Sequence, residues 1–437
     1  MTASFPIDAA PALARGRRAD ERSPEARAAR VTAAAGAKAA VVTTAAAVAM
    51  LPVLVPRGPG NVAPADLFIA VALGACLLWA GKSHRPWGFP YAVAMWIFMA
   101  GGAIGALVGP VPLSGGLALV QDLEMLLWCW AVANIASTPE RLRTLVSTWA
   151  YSSVVWAALL IVGLLTRTHF LTGQTGSEGS RTALTLYDPN YSASYWFISI
   201  MVIWASGVPH RRWLRVVGYC MLVPALISTG SNSGMVALIV GTVVAATFAS
   251  LRRWGPMAAV ATAAFLAIGG WFVASEVSIT HIQRWAHGSR YAVIRDGLGR
   301  GGASITERST LLRESIVLYR DGSPLGEGPV STKTRLVRMQ APYVKEAHDD
   351  YFAALIERGL IGAFGVVLLL SGVAIRTACL ASGRLTGGFH RALPRPHALA
   401  GAVAGTLAAE TVYELLHVRH VWALFGFVAA VYMWGRR

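Results

Sequence analysis

Charge is scarce in this chain. Of its 437 residues, 14% are Asp, Glu, Lys or Arg and 55% are hydrophobic. A soluble domain carries about 25% charged residues, so this composition excludes one water-facing globule. Cysteine is sparse too. Cys76, Cys129 and Cys220 fall in apolar segments and Cys379 at the end of one, and no two form a C-x-x-C pair. That spacing offers neither a zinc site nor a disulfide framework; no cofactor is expected. Acidic residues number 22 against 38 Lys and Arg, for a net charge of +16. The excess of base carries no nucleic-acid motif. It lies in an N-terminal tail, in short loops and in one long loop, and topology and anionic lipid account for the first two. No nucleic-acid partner is expected.

What the chain does have is long apolar runs, and its mean hydropathy is +0.52. Runs of about 18 residues or more recur, each able to cross a hydrocarbon core roughly 30 Å thick. The expected fold is all-α, a polytopic transmembrane bundle of about 12 helices. The spans read as about 37–55, 63–81, 88–109, 116–136, 143–165, 190–208, 213–229, 231–250, 256–275, 351–373, 396–412 and 417–434. Gln121, Asp122 and Glu124 make the fourth polar for a span. The seventh and eighth are split only by the turn Thr229-Gly230-Ser231-Asn232-Ser233-Gly234. Residues 1–36, rich in Ala, Arg and Pro, read as a disordered basic cytoplasmic tail. They are too long and too charged for an ordinary cleaved signal peptide. Residues 37–437 form the membrane domain.

Loop charge sets the orientation. With the N-terminus inside, inner loops hold Lys82 and Arg85, Arg141 and Arg143, then Arg211, Arg212 and Arg215. Later inner loops hold Arg252 and Arg253, then Arg376, Arg384, Arg391 and Arg395, and the chain closes on Arg436 and Arg437. Short outer loops carry little base beyond Arg57 and Arg419. This is the positive-inside pattern, with both termini cytoplasmic. Two outer segments break it, Thr166 to Pro189 and a long loop of about 276–349, and long ordered loops usually serve function.

Within the long loop, Glu307 to Arg320 reads as an amphipathic helix. Thr306 is placed to cap it, and Leu312, Ile316 and Tyr319 repeat on one face. Asp321-Gly322-Ser323-Pro324 ends it. Arg308 and Arg313 lie in its N-terminal half, where guanidinium groups and the helix N-terminus both favour an anion. Solvation or lipid headgroups would explain any one of these arginines, but the loop's density of basic residues favours an anionic ligand. His348 ends the loop at the start of the tenth span. On a continuous helix Gly359 and Gly362 lie within roughly 40° of its direction, giving close packing or room for a chain-like ligand. In the other outer segment, Arg181 precedes Asp188-Pro189-Asn190, and Asp188 reads as an N-cap with Pro189 at the first helical position.

Together these features resemble the O-antigen ligase and O-antigen polymerase superfamily. The ligase signature is His, then Asn, Ser or Gln, nine residues, Gly, two residues, and Gly, Thr or Tyr. The chain reads His348-Asp349, nine residues, Gly359-Leu360-Ile361-Gly362. Also similar to family sequences are Asp188-Pro189-Asn190 after Arg181, the turn Ser231-Asn232-Ser233-Gly234, and Arg308 followed by Pro324-Leu325-Gly326-Glu327-Gly328. The resemblance covers about 180–373. Asp349 departs from the signature, and Asn232 stands where many members carry Arg. The resemblance implies a GT-C-like bundle in a bacterial inner membrane, with its active site extracytoplasmic. It implies transfer of a glycan from an undecaprenyl-diphosphate carrier to a glycan, lipid or protein acceptor, without metal or nucleotide sugar. His348 would then be the catalytic base. Arg181, Arg308 and Arg313 would hold the diphosphate, with Asp188, Asn190, Asp349, Gly359 and Gly362 in support. Two other classes fit a polytopic chain: a secondary transporter, and a non-catalytic partner of a polysaccharide export system. No repeated halves favour a transporter.

Overall fold

The computed structural model describes residues 24–58, 62–83, 86–174, 180–276, 284–290, 295, 301–342, 344 and 349–436, with the side chains of 24–33, 273–276 and 301–308 excepted. Among the described residues the fold is helical, with one isolated β-bridge between Leu385 and Arg436. The helices that frame it are α1 (Pro24–Ala49), α2 (Pro64–Lys82), α3 (Ala92–Val108), α4 (Pro112–Ile135) and α5 (Pro139–Thr166). After them come α6 (Pro189–Ser206), α7 (Arg212–Ser228), α8 (Asn232–Trp254) and α9 (Pro256–Glu276). The long loop holds α10 (Gly301–Arg320) and α11 (Ser331–Arg338), and α12 (Asp350–Ser382), α13 (Pro396–Glu410) and α14 (Arg419–Trp434) complete the bundle.

Proline sets many of these starts. Pro24, Pro64, Pro112, Pro139, Pro189, Pro256 and Pro396 each open a helix, where the missing N–H costs nothing and φ is already helical. Side-chain caps reinforce two of these starts and set that of α8. Thr138 accepts from Arg141 N, Asp188 from Asn190 N and Ser231 from Gly234 N. Glycine in the left-handed region follows α6 at Gly207.

Helices occupy all the segments marked as apolar in the sequence. Of these, α2, α4, α5, α8 and α12 are long and apolar enough to cross a membrane, and α1 from Ala34, α3 and α9 to Phe272 are shorter apolar helices. These are the elements of a multi-pass membrane protein. Their outward faces are apolar: Leu67, Val71 and Leu78 on α2 and Val260, Phe265, Ile268 and Trp271 on α9 are exposed, a surface suited to lipid rather than water.

Two expectations change. The first helix begins at Pro24, inside the segment read as a tail, because an alanine-rich stretch of high helix propensity precedes the apolar run; residues 1–23 lie outside the described residues. In the long loop α10 reaches back to Gly301, so Thr306 is inside the helix rather than its cap. Its two glycines take the first helical positions.

Two close helix pairs organise the interior. A Cβ on Gly401 of α13 would stand 2.3 Å from Gly241 O of α8, and one on Gly405 2.3 Å from Ala237 O. On the other side, a Cβ on Gly101 of α3 would stand 2.4 Å from Gly362 N of α12, and one on Gly365 2.5 Å from Phe98 N. Absent side chains let these backbones touch, the usual source of tight helix association where solvent is apolar. Some polar groups inside pair between elements: Trp149 Nε1 donates to Ser199 Oγ at 2.9 Å, and Asn134 Nδ2 to Gly88 O at 2.7 Å.

Candidate functional site

Two of the segments similar to family sequences meet at a break in α12. Gly359 has φ 63° and ψ −168°, a conformation essentially reserved for glycine. Helix α12 is therefore two helices joined at a kink, and a count of 100° per residue does not carry across it. Gly359 and Gly362 consequently do not continue a single face from the start of the helix. This corrects the expectation, and so does the reason for the glycine. A Cβ on Gly359 would meet Leu325 C at 2.3 Å and Pro324 O at 2.4 Å. The space is filled by the backbone of the Pro324–Gly328 turn rather than left open to a ligand.

That turn is bound as a short backbone ladder. Leu360 N donates to Pro324 O at 2.9 Å, Glu327 N to Ile356 O at 3.1 Å and Gly328 N to Glu357 O at 2.8 Å. Helix α3 closes the third side, since a Cβ on Gly105 would lie 2.7 Å from both Gly328 N and Glu357 O. The two residues before the break also have defined partners. The Glu357 carboxylate accepts from Val330 N at 2.9 Å and from Thr332 Oγ1 at 2.7 Å. It thereby caps α11, whose own N-cap Val330 has no side-chain acceptor. Arg358 Nη1 lies 2.7 Å from Asp122 Oδ2 of α4, and its guanidinium stands 3.8 Å from the Phe98 ring centroid.

Beside this junction is a cavity of about 560 Å³. Its walls come from the α1–α2 loop (Arg57), α4 (Gln121, Asp122), the entry to α6 (Arg181, Tyr187 to Tyr191 in part) and the α7–α8 turn (Gly230, Asn232). The long loop adds Leu311, Val330, Lys333 and Val344, α12 adds Asp350, Glu357 and Arg358, and the α13–α14 loop adds Tyr413, Glu414 and His417. The cavity thus lies where helices end and loops meet, and both signs of charge face it.

Arg181 is held rigidly. Nε donates to Thr229 O at 2.8 Å and Nη2 to Asn190 Oδ1 at 3.3 Å. Ser231 Oγ donates to the same Asn190 oxygen at 2.8 Å, and Asp188 Oδ1 accepts from Asn190 N at 2.6 Å. Arg181, Asp188, Asn190 and the Ser231 turn are therefore one network, and Arg181, Asp188, Asn190 and Asn232 all line the cavity. The Tyr413 phenol joins it through Asp188 and Asn190, and burial pushes that phenol's pKa well up, with Tyr191 and Asp188 adding to the shift.

Next to the cavity residue Asp350, Asp349 caps α12 and accepts from Tyr351 N at 2.7 Å and Phe352 N at 3.1 Å. Burial raises its carboxyl above the ordinary value, while those two hydrogen bonds pull the other way. The next residue, Asp350, is buried and accepts from Leu415 N at 2.6 Å, fastening the α13–α14 loop to the start of α12.

The remaining expected site residues are placed as follows. His348 lies outside the described residues, between Val344 and Asp350, which both line the cavity. Arg308 is in α10, one turn before the cavity residue Leu311, with its side chain not described. Arg313 is on the exposed side of α10 and is not among the cavity residues. Residues missed in sequence include Arg358, Asp350, Glu357, Tyr413 and His417. The available signal was charge within or at the edge of apolar segments, which is costly and tends to mark function. Asp122 stood out in that way.

Residues 216–367 match the family model described as O-Antigen ligase. The match runs from α7 through the α12 break and takes in the Ser231 turn, the long loop and the Pro324–Gly328 turn. No curated protein matches the chain.

Proposed function

We propose, from the match of residues 216–367 to the O-antigen ligase family model, that the chain is a member of the O-antigen ligase and polymerase superfamily and transfers a glycan from an undecaprenyl-diphosphate carrier to an acceptor hydroxyl. The chemistry takes place on the extracytoplasmic side of a bacterial inner membrane. The helices form about twelve spans in a GT-C-like arrangement, with both termini cytoplasmic. Acceptors are a glycan, a lipid or a protein.

The observation that carries this reading is the cavity itself. It joins a fixed arginine, Arg181, to both flanks of the His348 motif at the ends of apolar helices. In the reaction the acceptor oxygen forms a bond to the anomeric carbon. The bond from that carbon to the diphosphate oxygen breaks, and its electron pair leaves on the diphosphate. Charge therefore grows on the leaving group, and preorganised guanidinium groups stabilise it without moving. Arg181 has this role, with Arg308 on α10 as the second candidate; Arg313 contributes at most from outside the cavity wall. His348 takes the acceptor's proton as general base. Asp188 and Asn190 hold Arg181, Asp349 fixes the helix start next to His348, and Gly359 and Gly362 let the α12 junction form. No step calls for a metal.

The test compares surface and lipid-linked glycans of a deletion strain, the complemented strain and an Arg181→Ala complement. Long chains lost with single repeats retained mean a polymerase. Long chains stranded on the carrier mean a ligase. Unchanged glycans in the deletion strain overturn the reading, and a lost small-molecule flux alongside them supports the transporter.

A further inference from the structure

Tyr187 occupies a position that packing does not explain. It has φ 71°, a left-handed conformation that costs a bulky residue energy. Yet its side chain is not buried by that choice, since it is 57% exposed. It lines the cavity, and the Arg57 guanidinium, which also lines it, stands 4.2 Å from its ring centroid. Strain that holds an aromatic ring out into a cavity is better explained by what the ring meets there than by the fold.

A second aromatic group stands in the same cavity. Tyr191 and Tyr413 meet edge to face with centroids 5.4 Å apart. Tyr191 also meets His417 edge to face at 5.2 Å and joins its Nε2 through the phenol hydroxyl. Around these rings the cavity wall carries Asp188, Asn190, Glu414 and Arg419.

Aromatic faces flanked by fixed donors and acceptors match one ligand chemistry, a pyranose ring with an apolar C–H face and a rim of hydroxyls. A prenyl chain has no hydroxyls to bond with this polar rim. A phosphate would face the electron-rich side of the rings. We propose that Tyr187, Tyr191, Tyr413 and His417 form a sugar-ring subsite, with Tyr187 as the stacking platform and His417 and Tyr191 binding hydroxyls. The subsite adjoins the Arg181 network through Tyr413, whose phenol bonds Asp188 and Asn190. The inference rests on the glycan-transfer reading and adds the residues that read the sugar.

Tyr187→Gly tests it without harming the fold, because glycine removes the left-handed strain. The probes are oligosaccharide released by mild acid from the host strain's own carrier-linked glycan, and inorganic pyrophosphate. Each is titrated calorimetrically into the full chain in nanodiscs. The variant should keep or raise the thermal midpoint, lose about tenfold in oligosaccharide affinity and bind pyrophosphate like wild type. Tyr187→Phe, which keeps the ring, should stay within about twofold. Unchanged oligosaccharide affinity in Tyr187→Gly overturns the subsite while leaving the transfer reading standing. Failure of wild type to bind either probe overturns both. In a transfer assay, a raised KM for the lipid-linked donor alone assigns the ring to the donor sugar. A raised KM for the acceptor alone assigns it to the acceptor, and no change in either overturns the proposal.

Discussion

Replacing Gly359 with alanine is expected to release the Pro324–Gly328 turn from α12. The new residue must hold φ 63° and ψ −168°, at a cost of about 1–3 kcal/mol. Its Cβ would also stand 2.3 Å from Leu325 C and 2.6 Å from Gly326 N. Both are backbone atoms, so relief requires moving the turn. Moving it breaks the bonds from Leu360 N, Glu327 N and Gly328 N, each worth about 1 kcal/mol. The sum is about 4–6 kcal/mol, felt locally because the turn can detach while the bundle stays folded. Hydrogen exchange on the full chain reads this directly. Peptides covering residues 324–338 should lose about a thousandfold in protection, and glycan transfer should fall with it. Gly269→Ala is the control, since nothing lies within 4 Å of its added Cβ. Wild-type exchange at 324–338 in Gly359→Ala would refute the account of the junction.

Three further outcomes follow from the same geometry. Asp122→Ala should destabilise the chain by about 3–5 kcal/mol, because Arg358 is then a buried charge without its partner, and Asp122→Ala with Arg358→Leu should recover part of that loss in a thermal-unfolding series. Arg181→Lys should reduce kcat for glycan transfer by about tenfold to a hundredfold, because Lys cannot span both Thr229 O and Asn190 Oδ1 as the planar fork does; unchanged turnover would remove Arg181 from the site. Arg313→Ala, on the exposed side of α10, should change transfer much less than Arg181→Ala, and an equal loss in the two would return Arg313 to the diphosphate site.

The helices were legible because apolar runs and opening prolines are local signals. Pro189 with Asp188 gave the start of α6 directly, whereas the cap at Ser231 lay within what read as a turn. The α12 break was not legible. Residues 350–382 are apolar enough to read as one helix, and the conformation at Gly359 is imposed from outside by the backbone of Pro324 and Leu325. Arg181, Asp188 and Asn190 lie close together in sequence and could be read as a group. Tyr413 and His417 could not, because only folding brings the α13–α14 loop to them, through Asp350 and the amides of Leu415 and Leu416. Arg358 was hidden in plain view beside the signature glycine; its partner Asp122 was visible only as an oddity in a span.

The most direct measurement places the purified chain in proteoliposomes with a lipid-linked glycan and an acceptor, and follows release of undecaprenyl diphosphate. The wild-type chain should release it together with glycosylated acceptor, and His348→Ala, inserted at the same level, should release none above background. Equal release by His348→Ala would contradict the assigned base, and no release by the wild-type chain would contradict glycan transfer from this carrier.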